Sequence, residues 1–491
     1  MANVALISFL VNSLNTRSLA SYLKAHGHDV MCFFFDGTPA GEDITALTVN
    51  LRARSVSLVG VSLVTDDYAS AVKVTAALKA SLPVRVIWGG AHVNVMPEES
   101  LRHADMICLG EGEDALLELA GSLASGGTPD TTIKNIWFST GKGVVRNEMR
   151  PLVENLDRYP APDFDLDSQY VISRGTVVKM GEDHLKGEYS VMTSRGCPYA
   201  CTYCYNSYRK KHYEGKGRYL RNRSIFAVIE ELGAAKKLFP RLQRINFWDD
   251  SFVARPTAEF EEFGAMYRDR VALPFFALIE PMAFDFEKIK LLRQAGLSAL
   301  QVGIQSGSER VNREVYGRRV TRDKILEVAG QIASLGIRAT YDLIFNNPYE
   351  TIDDLRETIS MLAKFPQPLY LQGYSLIFYP GTELTQRALA DGYITLKPPV
   401  DDFSPIQDKR NSPFAMKGKA DVSGRFYSVN YDSSDKEYFN SVISLFGYTK
   451  IPRKISVYFG RSENAFKHML LKALMEVYIA ASRIKNACLP S

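Results

Sequence analysis

The chain has 491 residues, 46% hydrophobic and 23% charged, with a formal net charge of +4. At about 100–200 residues per domain that is an ordinary globular composition with room for several domains, and the small charge gives no reason by itself to expect a nucleic-acid partner. Six cysteines in this length exclude a disulfide-dense secreted fold, and no run of about 18 or more apolar residues marks a transmembrane helix.

The start, "MANVALISFLVNSLN", has no basic leader and no small-residue cleavage site. It reads as a strand running into a loop, and a cytoplasmic location is expected. Through residue 125 apolar runs alternate with helical patterns. "VALISFL", "DVMCFFF", "VSLVGVSLV", "VRVIWGG" and "ADMICLG" read as strands, "RSLASYLKAHGH" and "YASAVKVTAALKAS" as helices. Near-continuous apolar strands between amphipathic helices predict a doubly wound, Rossmann-like α/β domain over 1–125, its ligand lying beyond the carboxyl ends of the strands. Three strand-end loops are candidates for that ligand. They are "TDDYAS" with Thr65, "GGAHVNVMPEE" with Gly89, Gly90 and His92, and "GEGED" with Gly110, Glu111 and Gly112.

Residues 126–188 read as a connector with a hairpin in "GTPDTTIKNIWFSTGKGVVRNEMRP" and an extended, proline-bearing linker in "LDRYPAPDFDL". A second series follows over 189–394, with strand runs "YSVMTSR", "RINFWDDSF", "FFALIEP", "ALQVGIQSG", "RATYDLIFN" and "LYLQGYSLIFYPG". The helical patterns between them predict a partial, open (β/α)6 barrel whose active residues sit at the strands' carboxyl ends. Residues 395–491 form a C-terminal extension, predicted α-rich. Its segment 463–485 has an apolar stripe through Phe466, Leu470, Leu474, Val477 and Ala481. It reads as a helix packed on the barrel or, alternatively, as a basic amphipathic helix touching a lipid surface. The basic stretch 208–223 reads as a solvated surface loop or as a basic edge near an anionic ligand.

Chemistry concentrates in "TSRGCPYACTYCYN" (193–206), which holds Cys197, Cys201 and Cys204 within eight residues. Cys32 and Cys108 lie in apolar runs and read as inert core. Thiolates are soft ligands suited to zinc or iron–sulfur clusters. A closed zinc site needs a fourth ligand, for which His212 is the nearest candidate. The other reading leaves one cluster iron without a protein ligand, available to a substrate or cofactor.

"RGCPYACTYCYN" resembles the signature of the radical S-adenosylmethionine enzymes. The resemblance implies that Cys197, Cys201 and Cys204 hold a [4Fe-4S] cluster whose fourth iron is chelated by S-adenosylmethionine, with Tyr203 beside the adenine. One electron then gives a 5′-deoxyadenosyl radical that abstracts hydrogen from a substrate. "FWDDSF" matches the strand end that holds the methionine ammonium, which implies Asp249 and Asp250. "GIQSGSERVN" resembles the strand end facing ribose and carboxylate, which implies Gln305, where Glu is common, and Ser306. "DLIFNNPYETIDDL" resembles the family's glycine-rich turn, with Asn346, Asn347 and Tyr349 as bulk expected at the substrate pocket.

"LASYLKAHGHDV", "GVSLVT", "GGAHVNVMPEE" and "GEGE" look like the cobalamin-binding domain fused to many of these enzymes. The Asp-x-His-x-x-Gly stretch that ligates cobalt elsewhere does not occur, and His28 and His92 have neither of its flanks. The resemblance therefore implies cobalamin with no protein histidine ligand. The function expected is hydrogen abstraction followed by methyl transfer from methylcobalamin. Cyclisation, ring contraction or rearrangement without methyl transfer is the enzymatic alternative, and a non-catalytic metal- or nucleic-acid-binding protein the alternative of another class. The expected partners are a small-molecule substrate, a natural product or lipid, and an electron donor such as flavodoxin or ferredoxin, with no specific nucleic acid.

Overall fold

The computed structural model describes residues 1–397, 427–430, 434–446 and 459–460. The expected helix over 463–485 lies outside the described residues. Among them, no helix is long and apolar enough to cross a membrane.

The first sheet is built from β1 (Asn3–Ser8), α1 (Leu14–Ala25), β2 (Asp29–Phe35), α2 (Gly41–Ala53), β3 (Leu58–Ser62), α3 (Tyr68–Ser81), β4 (Arg85–Gly89), α4 (Ala91–Val95), α5 (Pro97–Leu101), β5 (Met106–Cys108) and α6 (Glu113–Gly126). Its strands read as apolar runs because helices cover both faces. Leu6, Val30, Phe34, Leu58, Ile87 and Met106 meet in one core, each worth roughly 1.5–3 kcal/mol of transfer free energy. Cys32 and Cys108 are buried in that core, where burial pushes both thiols up to about 12.

Residues 126–188 are more than a connector. The hairpin of β6 (Ile136–Thr140) and β7 (Gly143–Arg146) joins β5 antiparallel, and that of β8 (Gln169–Ser173) and β9 (Thr176–Lys179) joins β2 through β8. The result is a nine-stranded sheet of order β7-β6-β5-β4-β3-β1-β2-β8-β9. The strand order reverses between β1 and β3, so a crevice opens at their carboxyl ends.

The second series comprises β10 (Glu188–Val191), β11 (Ser194–Arg195), α7 (Tyr205–His212), β12 (Arg221–Asn222), α8 (Ile225–Leu238), β13 (Arg244–Phe247), α9 (Thr257–Arg270), β14 (Phe275–Ile279), α10 (Phe286–Ala295), β15 (Leu297–Gln305), α11 (Arg322–Ser334), β16 (Arg338–Phe345), α12 (Ile352–Leu362) and β17 (Tyr370–Ser375). The six strands predicted from their apolar runs form one sheet of order β10-β13-β14-β15-β16-β17, while β11 and β12 pair separately. After α13 (Glu383–Ala390) come the strand pair β18 (Ile394–Leu396) and β19 (Tyr427–Val429), then α14 (Ser434–Phe446), which packs on α12.

The chain divides into two compact units, residues 1–198, 209–249 and 265–274 in one, 199–208, 250–264 and 275 onward in the other.

Candidate active site

In the first unit the cysteine arm is fixed from both sides. β11 pairs antiparallel with β12, and Gly196, at φ +94°, sits so close to the Tyr219 carbonyl that a side chain has no room there. Cys197 follows directly. Asp249 is fully buried, and its Oδ1 accepts hydrogen bonds from residues upstream of the cysteines, the Thr193 N–H at 2.9 Å, the Thr193 hydroxyl at 2.9 Å and the Ser194 hydroxyl at 2.5 Å. This oxygen holds the strand end that carries the cysteine loop, a positioning task the resemblance did not imply. Asp250, its neighbour in sequence, is exposed.

The loops at the carboxyl edge of the first sheet also bind one another. The Leu63 N–H donates to the Gly89 carbonyl at 3.0 Å, the Gly110 N–H to Asn94 Oδ1 at 2.7 Å, and Thr65 Oγ1 lies 3.4 Å from His92 Nδ1. His92 is fully buried, its ring against Tyr68 at 4.8 Å. Gly90 has φ +106°, and a Cβ there would lie 2.4 Å from the Leu63 carbonyl oxygen. Gly110 has φ +74°, and a Cβ would meet the Tyr213 hydroxyl at 2.3 Å. Both glycines serve close packing within the protein itself. Gly89 and Gly112 are not crowded in this way, their Cβ positions clearing neighbours by 3.9 and 3.5 Å.

Glu111 is likewise committed internally. Its carboxylate accepts from Arg221, which is 1% exposed, at 2.5 and 3.1 Å, and lies 3.3 Å from Arg195. Arg195 pairs in turn with buried Glu113 at 2.5 Å. Burial alone would push Glu111 up, but the two guanidiniums override it and hold the carboxyl below its usual range. Part of the basic 208–223 stretch is therefore a buried ion-pair network rather than a solvated loop.

Leu10, just beyond β1, is 60% exposed, and Val64, just beyond β3, is 45% exposed. They stand at the strand ends where the order reverses, the place where a doubly wound sheet takes its ligand. That edge fits a large, partly apolar cofactor. The donor set of the cysteine loop fits an iron–sulfur cluster, since none of its three thiols is in a disulfide and each can serve a separate iron.

In the second unit the loop's other half is anchored by Thr202, whose N–H donates to the Tyr316 carbonyl at 3.1 Å and whose hydroxyl donates to the Val315 carbonyl at 2.6 Å. Cys201 and Cys204 flank it on one tight turn, the Cys204 N–H donating to the Cys201 carbonyl at 3.0 Å. Burial pushes the Cys204 thiol up to about 11. Tyr203 packs edge-to-face on Tyr316 at 5.1 Å, and its hydroxyl accepts from buried Arg318 at 3.2 Å. The other end of Arg318 donates to the Gly303 carbonyl at the end of β15.

Gln305 closes β15 at φ +65°, where the register with β16 slips between Gly303 and Gln305. A non-glycine residue in that region is strained, and such strain collects at functional sites. Ser306 is 1% exposed, and its hydroxyl donates to buried Glu350 at 3.1 Å and accepts from the Ser308 N–H at 3.2 Å. It builds the turn. Asn347 is fully buried and donates to the Tyr316 hydroxyl at 3.0 Å, while its carbonyl and that of Pro348 take the Lys436 ammonium of α14. The Tyr349 ring lies against Tyr393 and beneath Arg387, with its hydroxyl on Asp391. Only Asn346, donating to Ser375 on β17 at 3.0 Å, stays on the sheet. Asn347 and Tyr349 are thus held by packing partners other than the inner face of the sheet.

Glu280, just past β14, was read only as part of a strand. It is 7% exposed, accepts from Ser251 at 2.5 Å, and burial pushes its carboxyl up to about 7. Its one signal in the sequence is an acid ending the apolar run "FFALIE".

Two family models match the chain, "B12 binding domain" over residues 2–120 and "Radical SAM superfamily" over 191–362. The chain is 27% identical to "Uncharacterized methyltransferase PH0819" of Pyrococcus horikoshii, over 77% of this chain and 78% of that one. It is 21% identical to the bacteriochlorophyllide d C-8(2)-methyltransferase of Chlorobaculum tepidum, over 64% of each. Its fold is similar to that of the radical S-adenosylmethionine methyltransferase TsrM of Kitasatospora setae, with a TM-score of 0.70 at 17% identity over 99% of this chain and 100% of that one. The cysteine loop and the barrel strands define a radical S-adenosylmethionine enzyme. The chain belongs to the members that carry a cobalamin-binding domain, and its cofactors are a [4Fe-4S] cluster, S-adenosylmethionine and cobalamin.

Proposed function

We propose that this chain transfers a methyl group to an unactivated carbon of a small molecule. The observation that carries the reading is the pairing of one loop of three thiols, none in a disulfide, with a first sheet whose reversal point exposes Leu10 and Val64. When bound, the three cofactors supply between them one-electron reducing power, a hydrogen-abstracting radical and a methyl group. The chain's own part is to hold and to shield. Cys197, Cys201 and Cys204 hold the cluster. Tyr203, Asp250 and Gln305 face S-adenosylmethionine, while Asp249 and Ser306 keep the loops that carry them in place. Thr65, Gly89 and Gly112 line the cobalamin edge beside Leu10 and Val64. A flavodoxin or ferredoxin supplies electrons, and a reducing cytoplasm keeps the thiols available.

The test is anaerobic reconstitution with iron, sulfide and hydroxocobalamin, then incubation of candidate substrates with methyl-labelled S-adenosylmethionine. Labelled product with 5′-deoxyadenosine is expected, and Cys201→Ala should lose both the iron and the deoxyadenosine. Unlabelled product formed with stoichiometric 5′-deoxyadenosine would instead identify a cyclase or rearrangement enzyme.

A further inference from the structure

The inner face of the second unit's strands carries a carboxyl group that the cofactors do not account for. On β15, Leu300, Val302 and Ile304 are buried, so Gln301, Gly303 and Gln305 point the other way. The register aligns Leu278, Gln301, Thr340 and Tyr370 in one row and Gly303, Asp342 and Gln372 in the next. Asp342 is 8% exposed. Its Oδ2 accepts from Gln301 Nε2 at 2.7 Å, and the same amide reaches the Tyr374 hydroxyl at 3.3 Å. Its Oδ1 is buried and has no hydrogen-bond partner among the described residues.

A buried acceptor left open costs about 1–3 kcal/mol unless something fills it. Towards the strands' carboxyl ends these rows hold no lysine or arginine. Arg318, which reaches Gly303 there, is spent on the Gly303 carbonyl and on Tyr203. Tyr374, 38% exposed, offers a ring beside the acid. An open carboxyl oxygen next to an accessible aromatic ring, with no cation of its own, is complementary to an ammonium group.

We propose that Asp342, oriented by Gln301 and flanked by Tyr374, is the substrate-recognition point of the barrel and takes a protonated amine on the small molecule. This rests on the methyltransferase reading and narrows its substrate class to amines. Burial pushes the Asp342 carboxyl up to about 7, so near neutrality much of it is protonated. Seating an ammonium displaces that proton to the buffer and leaves a carboxylate–ammonium pair.

The reconstituted holoenzyme is titrated with ethylammonium chloride, with sodium chloride as control, and followed by infrared difference spectroscopy of the carboxylic-acid carbonyl stretch. The expected result is loss of a carboxylic-acid band that saturates with ethylammonium in the wild type and in Glu280→Gln, and is absent in Asp342→Asn. Gln301→Met removes the amide from Oδ2 and should shift that band, which tests its assignment even where Asp342→Asn folds poorly. No ethylammonium response in the wild type, the same response in Asp342→Asn, or an unshifted band in Gln301→Met would overturn the proposal. None of these measurements involves turnover, so the proposed methyl transfer stands or falls separately.

Discussion

Glu350 shows what a single buried acid does to the pH dependence of this fold. Burial pushes its carboxyl up to about 8, with the nearby Asp354 charge adding and the Ser306 hydrogen bond opposing. The folded chain therefore keeps the proton to about pH 8, whereas the unfolded chain releases it in the ordinary carboxylate range. Between those limits unfolding releases a proton, so this residue's contribution to stability falls as pH rises. Glu350→Gln has no proton to release. Its stability relative to the wild type should rise by up to about 1.4 kcal/mol per pH unit between about pH 5 and 8, read from urea midpoints. A difference that stays flat would show that Glu350 is ionised in the folded chain. At this scale the cysteines were legible because three soft ligands in eight residues have few other uses. The tasks of Asp249 and Ser306 were not, because a motif names a residue type and says nothing of which partner takes the side chain in the fold. Glu280 and Asp342 were hidden for another reason, Glu280 as a lone acid ending an apolar run, Asp342 as the opening residue of a stretch read for its turn and not for its acid.

At the scale of elements, the apolar runs predicted every parallel strand of both sheets except β8, because burial on both faces leaves an unbroken hydrophobic record. α2 went unread. Its Ile44, Leu47 and Leu51 lie at helical spacing, but polar Thr48 interrupts that stripe and apolar Val49, 61% exposed, lies off it. The edge hairpin of β8 and β9 was also unread, since a strand with one bare side keeps polar residues such as Thr176 and Lys179. The loop after β4 allows a sharp comparison. Gly27 also has positive φ, at +82°, but a Cβ there meets nothing within 4 Å, so Gly27→Ala should cost only the backbone term of about 1–2 kcal/mol. Gly90→Ala adds a clash with Leu63 and should cost at least about 1–3 kcal/mol more, measured by thermal unfolding. Equal losses would mean that the β3 and β4 ends can move apart. In the crevice, Leu10→Lys and Val64→Lys place charge at apolar positions that are exposed among the described residues. Each should leave the melting temperature nearly unchanged yet weaken hydroxocobalamin retention at least about tenfold, the effect of roughly 1.4 kcal/mol. Unchanged retention would move the cofactor to another edge.

At the scale of the whole molecule, the Glu111, Arg221, Arg195 and Glu113 network ties a glycine loop of the nine-stranded sheet to the strand pair beside Cys197. Buried ion pairs add little net stability, but removing one partner strands the other in a poor solvent, at about 3–5 kcal/mol. Glu111→Gln should therefore destabilise more than the double variant Glu111→Gln with Arg221→Met, as a double-mutant cycle by chemical denaturation would show. If the single variant is the milder of the two, water reaches Arg221 and the network is a surface feature.

The two hairpins that flank the first sheet bear on how the protein can be dissected. The B12-binding match ends at residue 120, before β6 begins and well before β8. A fragment cut there would carry β5 and β2 as raw edges, the second running through Phe33, Phe34 and Phe35 with every backbone hydrogen-bonding group on that side unmet. Such an edge recruits other chains. Light scattering should find the 1–120 fragment aggregated where the intact chain stays dispersed, so purifying the cofactor-binding half alone calls for a cut beyond Lys179.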